Sequence, residues 1–310
     1  MRIVFFGSPP EAAASLESLI AAGHDIAAVY SQPDRKSGRG RNKTATPVKT
    51  FATQNDLPVF TPKGLRNNVE ELERLTELKA DAFVVVAYGR ILPVEILQVP
   101  PMGVVNIHPS LLPKYRGPSP VVTAILEGED TAGVTIMLLD EGMDTGPILA
   151  QSTPMWLSGT EKGAALQSAL FKEGASMLPN VLKGLQEGSL APQPQDDSKA
   201  SVTRLLERSD GEIDWTSPAE RIDRMIRAYD PWPGTFTSWN GKGLKVLDAQ
   251  ISSASVYGAG VVVVDEGRVN VGTGTGSIEL KKVQLEGRQA VAAADFLRGQ
   301  PDFDGATLGT

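Results

Sequence analysis

Apolar runs and amphipathic stretches alternate through the first half of the chain. Arg2–Phe6 is a short apolar run, Gly7-Ser8-Pro9-Pro10 a turn, and Glu11–Ala22 carries apolar residues at helical spacing. The same alternation predicts strands at Asp25–Tyr30, Val59-Phe60, Ala82–Ala87, Gly103–His108 and Val134–Leu139. Helices are predicted at Val69–Lys79, at Val121–Glu127, and from Pro47 to Asn55, where Pro47 follows Thr46 as a first-turn proline. Ala82–Ala87 is apolar throughout, as suits a strand covered on both faces. Strands alternating with helices make βαβ units, so this half is predicted to be a doubly wound, mostly parallel α/β sheet.

The pattern then changes. A long helical stretch runs from about Glu161 to Gln186, with a bend expected at Pro179. Ser189–Ser201 is rich in Ser, Pro, Gln and Asp and is expected to be an interdomain linker. Beyond it come an extended Glu212–Trp215, an amphipathic helix Ala219–Ala228, and short strands with glycine turns at Leu244–Ala249, Gly260–Val264, Val269–Gly272 and Ser277–Val283. That spacing predicts a small β-rich barrel or sandwich. The expected organisation is therefore a domain over 1–188, a linker over 189–205 and a second domain over 206–310.

Composition narrows the function. The chain has 310 residues, 41% hydrophobic and 22% charged, enough for two ordinary globular cores. The start, Met1-Arg2-Ile3-Val4-Phe5-Phe6-Gly7, reads as a strand and turn rather than a signal peptide, and a cytoplasmic protein is expected. With no cysteine, disulfides, thiolate metal sites and cysteine nucleophiles are excluded, and two histidines are too few for a histidine-rich metal site. The net charge of −7 argues against bulk nucleic-acid binding. Residues 31–49 are the local exception, holding Arg35, Lys36, Arg39, Arg41, Lys43 and Lys49 against the single acid Asp34. This long Gly- and Pro-containing loop is either a solvated surface loop or a phosphate-contacting one.

Candidate chemistry centres on His108. Side chains alternate along a strand, so Asn106 and His108 share a face, at the carboxyl end where open α/β sheets bind ligands. Pro109 keeps His108 extended, and four prolines between 109 and 120 stiffen the loop carrying Leu111 and Leu112. A second polar element, Asp140-Glu141-Gly142-Met143-Asp144-Thr145-Gly146, follows the strand Val134–Leu139. A carboxylate from it reaching His108 would fix the imidazole tautomer. Amide, imidazole and carboxylate converging on one point suit acyl transfer, with donors for an oxyanion and a carboxylate for protons. Ser110 and Ser119 lack a Gly-x-Ser-x-Gly setting, and Gly7-Ser8-Pro9 lacks the further glycines of a dinucleotide fingerprint.

Asn106-x-His108, Ser110-Leu111-Leu112-Pro113 and the later Asp144 resemble the signature of the folate-dependent formyltransferase superfamily. Two further features resemble the methionyl-tRNA formyltransferases. They are Gln32-Pro33-Asp34-Arg35 with Gly38-Arg39-Gly40 and Pro47-Val48-Lys49, and Gly211-Glu212-Ile213-Asp214-Trp215 with Ile226-Arg227-Ala228 and Pro231-Trp232-Pro233-Gly234. The resemblance implies a Rossmann-like formyltransferase domain followed by an OB-like domain that would hold the tRNA body. It implies 10-formyltetrahydrofolate as co-substrate, initiator methionyl-tRNA as acceptor, no metal, and a monomer. Asn106, His108 and Asp144 would be catalytic, Ser110, Leu111, Leu112 and Pro113 would border the folate, and Arg35, Arg39, Arg41 and Lys43 would meet the tRNA. Lys43-Thr44-Ala45 departs from the family, whose members often carry larger apolar residues there. Residues 206–310 hold 11 basic and 15 acidic residues, so RNA contact there requires a local basic face. Formyl transfer to a small amine, such as an aminosugar nucleotide or glycinamide ribonucleotide, is the alternative within the superfamily. A catalytically silent folate- or RNA-binding module is the alternative outside it.

Overall fold

The computed structural model describes residues 1–37, 42–254 and 258–309. The chain forms two compact units. The first comprises Met1–Pro120, Thr131–Met155 and Gln167–Thr203; the second comprises Val121–Asp130, Trp156–Leu166 and Arg204–Thr310.

The first unit is built on seven strands: β1 Arg2–Gly7, β2 Asp25–Tyr30, β3 Val59–Phe60, β4 Ala82–Val86, β5 Val104–His108, β6 Thr135–Leu138 and β7 Ile148–Gln151. Their order in the sheet is β7-β6-β5-β4-β1-β2-β3. The pairs from β3 to β5 are parallel; β6 is antiparallel to both β5 and β7. Helices α1 Pro10–Ala21, α2 Pro47–Gln54, α3 Val69–Glu77 and α4 Val94–Leu97 fill the connections. Their starts follow local chemistry. Thr46 accepts the Lys49 N–H at 3.1 Å ahead of Pro47, and Asn68 accepts the Glu71 N–H at 3.2 Å.

Alternation along the strands sends side chains to two cores. Ile3, Phe5, Val84, Val105, Ile107 and Ile136 pack with Leu16, Val48, Phe171 and Leu178 on one face. Val4, Phe6, Phe83, Val85 and Val104 pack with Leu75, Tyr88 and Ile96 on the other. Each such side chain contributes about 1.5–3 kcal/mol by burial. Asn106 and His108 fall in the register of Val104, so Val105 and Ile107 lock β5 from the opposite side. The long helix α6, Gly163–Glu187, continues through Pro179.

The second unit contains α5 Pro120–Glu127 from Val121 onward, helices α7 Ala219–Ala228 and α8 Ala293–Gly299, and six antiparallel strands. These are β8 Thr235–Trp239, β9 Lys242–Ser252, β10 Val262–Asp265, β11 Arg268–Gly272, β12 Ser277–Leu285 and β13 Val291–Ala292. The path runs β8-β9-β12-β11-β10, with β13 also on β12. Burial alternates cleanly in β8, where Thr235, Thr237 and Trp239 face inward and Phe236 and Ser238 outward. Trp239, Phe296 and Phe303 pack edge to face at 5.0–5.6 Å in its core. Among the described residues no helix is long and apolar enough to cross a membrane.

Candidate active site

His108 ends β5 and is 4% exposed. Its Nε2 lies 2.9 Å from the Tyr115 carbonyl oxygen, and its Nδ1 lies 3.5 Å from Asp144 Oδ2. A carbonyl can only accept, so Nε2 carries the hydrogen and Nδ1 is left to face the carboxylate. The tautomer is therefore set by the Tyr115 backbone rather than by the carboxylate expected to set it. Asn106, two residues back on the same face, is 9% exposed, and its amide has no hydrogen-bond partner among the described residues. It is an uncommitted donor beside the imidazole.

Asp144 arrives by an unexpected route. Leu138 pairs with Val105 and Thr135 with His108, so β6 runs away from His108 and ends about 10 Å from it along the strand. The 140–146 loop leaves from the far end of β6 and doubles back over the Asn106–His108 face to bring Asp144 to His108. Three devices hold the return. Gly146 lies so close to Leu138 that a Cβ would come within 1.9 Å of its carbonyl oxygen. The Asp140 carboxylate accepts from Gly142 N at 3.0 Å and Thr145 Oγ1 at 2.7 Å. The Gln195 amide donates to the carbonyls of Asp144 and Gly146 at 2.9 and 2.7 Å.

The loop after His108 is held as firmly. Thr135, opposite His108, donates its hydroxyl to Ser110 O at 2.6 Å and accepts from Leu112 N at 3.0 Å. Gln151 donates to Leu112 O at 2.8 Å. Ser110 Oγ donates to Lys114 O at 2.6 Å, and Leu112 is buried, so of the four residues expected to border the folate these two are engaged in shaping the loop. Leu111 and Pro113 are half-buried. Gly117 donates its N–H to Asp144 Oδ2 at 2.8 Å. Only glycine allows this, because φ is +101° and a Cβ would meet the Thr203 carbonyl oxygen at 2.8 Å.

The segment expected to be a linker lies against this loop. Ser201 accepts from Tyr115 N at 2.9 Å, and Thr203 receives Ser119 N at 3.1 Å. Arg116, 7% exposed, donates to Gln195 Oε1 at 3.0 Å and to Asp197 Oδ1 at 2.7 Å. Gln195 thus joins the two loops that carry His108 and Asp144. Sequence reasoning missed Gln195, Ser201, Thr203, Thr135 and Gln151. The available signal was the alternation Pro192-Gln193-Pro194-Gln195, an extended backbone that presents its glutamines in register.

Near the carboxyl ends of β1, β2 and β4, Gln32 donates to Tyr88 O at 3.0 Å and accepts from Arg90 Nε at 3.0 Å. Burial pushes the Tyr88 phenol up to about 12. Arg35 and Lys43 are exposed on a two-stranded ribbon, Arg35–Ser37 with Asn42–Thr44. Lys49 is committed to Asp34 at 2.7 Å, while Arg39 and Arg41 lie outside the described residues. Among the described residues no group of three or more His, Asp or Glu side chains could hold a metal ion.

The formyl transferase family model matches residues 1–182, and that of the formyl transferase C-terminal domain matches residues 205–301. The methionyl-tRNA formyltransferase of Chloroflexus aurantiacus is 47% identical, covering 96% of this chain and 97% of its own. That of Roseiflexus sp. is 48% identical, covering 100% and 95%. The chain belongs to the methionyl-tRNA formyltransferase family. One chain carries both a formyl transferase match and a C-terminal domain match. More distant structures share the fold. An N-formyltransferase from Helicobacter canadensis in complex with folinic acid and dTDP-3-aminofucose superposes with a TM-score of 0.67 at 21% identity, over 90% of this chain and 98% of that one. HypX from Aquifex aeolicus in complex with tetrahydrofolic acid gives 0.65 at 20%, over 96% of this chain and 47% of that one.

Proposed function

We propose that this enzyme transfers a formyl group from 10-formyltetrahydrofolate to the α-amino group of initiator methionyl-tRNA, with Asn106, His108 and Asp144 as its catalytic residues. The reading is carried by the approach of His108 to Asp144 beside an uncommitted Asn106 amide, in a chain of this family.

The amine attacks its partner's formyl carbon as the neutral base. An α-amino group has a pKa of about 8, so little help is needed to free it. A C–N bond forms and the formyl oxygen takes the electron pair as an oxyanion. The Asn106 amide donates to that oxygen, which needs a donor already in place as charge develops. The nitrogen of the former amine loses a proton to the His108–Asp144 pair. The folate N10 gains one as its bond to the formyl carbon breaks, leaving N-formylmethionyl-tRNA and tetrahydrofolate. At 3.5 Å the Asp144 carboxylate is near enough to Nδ1 for the pair to share the proton once it is taken up. Leu111 and Pro113 offer the half-buried apolar wall for the folate, shaped by Ser110 and Leu112. Arg35, Arg39, Arg41 and Lys43 meet the phosphates of the acceptor end. The enzyme works as a monomer in the cytoplasm.

The test is a competition among acceptors. With 10-formyltetrahydrofolate, charged initiator tRNA is formylated in preference to glycinamide ribonucleotide and an aminosugar nucleotide. Formylation of either small amine with none of the tRNA would overturn the assignment.

A further inference from the structure

The chain has seven methionines and no cysteine, so thioethers are its only sulfur and its readiest targets for an oxygen-transferring oxidant. Their surroundings differ. Met137 is fully buried, Met1, Met177 and Met225 pack against the cores, and Met102 is half-buried. Met155 is 37% exposed and Met143 is 53% exposed. Of these two, Met143 directly precedes Asp144 of the proposed catalytic trio.

The contact behind that thioether matters as much as its exposure. Met143 Sδ lies 3.5 Å from the point where Gly117 would carry a Cβ, so the sulfur rests over the Gly117 backbone. That backbone supplies the N–H that reaches Asp144 Oδ2 at 2.8 Å, the same oxygen that faces His108 Nδ1 at 3.5 Å. Neither side of the contact is free to move away. Gly117 is buried, and its neighbours Arg116 and Ser119 are bonded to Thr203 at 2.7 and 3.1 Å. On the other side, Gly142 N and Thr145 Oγ1 are both held by the Asp140 carboxylate. Asp144 itself has a φ of +54°, a left-handed conformation that few residues other than glycine, asparagine and aspartate adopt.

We propose that Met143 is a modification site through which hydrogen peroxide, or another two-electron oxygen donor, reversibly slows formyl transfer. A sulfur lone pair attacks one peroxide oxygen, the O–O bond breaks and an S–O bond forms. The transferred oxygen passes its proton to the departing hydroxide, which leaves as water; sulfur is oxidised by two electrons and the peroxide is reduced. The product is a polar sulfoxide where an apolar sulfur rested. Seated against Gly117, the new oxygen crowds that backbone and competes for the N–H that holds Asp144. The carboxylate is then misplaced relative to His108, and a displacement of about 1 Å can cost on the order of a hundredfold in rate. The inference rests on the proposed role of Asp144.

The experiment treats the full-length enzyme with hydrogen peroxide. Excess oxidant is destroyed with catalase before folate and methionyl-tRNA are added, and oxidation at each methionine is read by peptide mass. Formyl transfer is followed in single turnover, each variant against its own untreated sample. Conversion of Met143 is expected to track a fall in rate on the order of tenfold, restored by methionine sulfoxide reductases of both stereospecificities. Met143→Leu, a volume-conserving change, should hold its rate under peroxide, whereas Met155→Leu should lose as much as wild type. Met143→Gln, with a permanent polar group at that place, should be slow without oxidant. Met143 left unconverted while Met155 is oxidised overturns the proposal, as does an equal loss in Met143→Leu. An unchanged rate at full conversion, with Asp144→Asn slow, sinks the modification site alone. Asp144→Asn as fast as wild type sinks the catalytic trio instead, through a readout that needs no oxidant.

Discussion

The His108–Asp144 centre and a groove in the C-terminal unit, lined by Trp232, Phe236, Arg208 and Lys245, handle charge in opposite ways. At the centre, Asp144 takes the Gly117 N–H, and both loops are tied through Gln195 and Arg116. Most of the polar groups that shape it are engaged by the protein itself. At the groove, Arg208 and Lys245 have no protein partner among the described residues and the aromatic rings stand open. Chemistry needs groups that do not reorganise when charge develops. The difference sets an internally paired site apart from one whose charges are left open.

Substitutions can break that separation, and the largest effects belong to the centre. Asp144→Asn or His108→Ala should lower kcat by about 10²–10⁴, the range for losing a positioned acid or base, with the salt dependence of KM unchanged. Asn106→Ala should cost about 10²–10³, as for one lost oxyanion donor. A kcat within threefold of wild type, measured by single-turnover formylation, would remove that residue from the chemistry.

Gln195→Leu is expected to come next, lowering kcat by up to about a hundredfold through a misplaced Asp144, without touching substrate. Its signature is a shift of the His108 ring resonances, readable in a protein with only two histidines. Gln195→Glu keeps the acceptor for Arg116 but loses both donors to the 144 and 146 carbonyls, so it should behave like the leucine variant. Full activity in Gln195→Glu would show that the brace is dispensable.

The smallest effect lies at the turn that places Arg208. Arg204, then the Glu207 N–H, hold the Asp210 carboxyl below its usual range. A depressed folded pKa gives stability that is present above the unfolded value of about 4 and lost as pH falls through the folded value. Asp210→Asn should therefore lower the thermal midpoint slightly at pH 7, with the gap closing below about pH 4. A gap that stays constant down to pH 3 would show that this pair adds nothing.

Much of the architecture is legible in the sequence alone. Ala82–Ala87 reads as a doubly covered strand because its apolar run is continuous, and period two alone puts Asn106 beside His108. The direction of β6 was not legible, since local alternation is the same for parallel and antiparallel strands. β7 was missed because Ile148–Gln151 is short and sits between glycine and proline signals. The bracing of Arg116 by Gln195 and Asp197 was hidden by composition. A polar, proline-rich stretch reads as a linker, yet its hydrogen bonds tie the two loops of the centre together.

That stretch has a consequence for how the protein can be divided. Residues 183–204 fall between the ranges matched by the two family models, and a gene split there would look harmless. A fragment ending at 188 would keep every residue of the proposed catalytic trio while leaving Tyr115, Arg116 and the 144–146 carbonyls without Ser201, Gln195 and Asp197. Such a piece would be an intact sheet with an unassembled reaction centre. Any recombination of this catalytic half with a different C-terminal module has to carry the chain through Thr203.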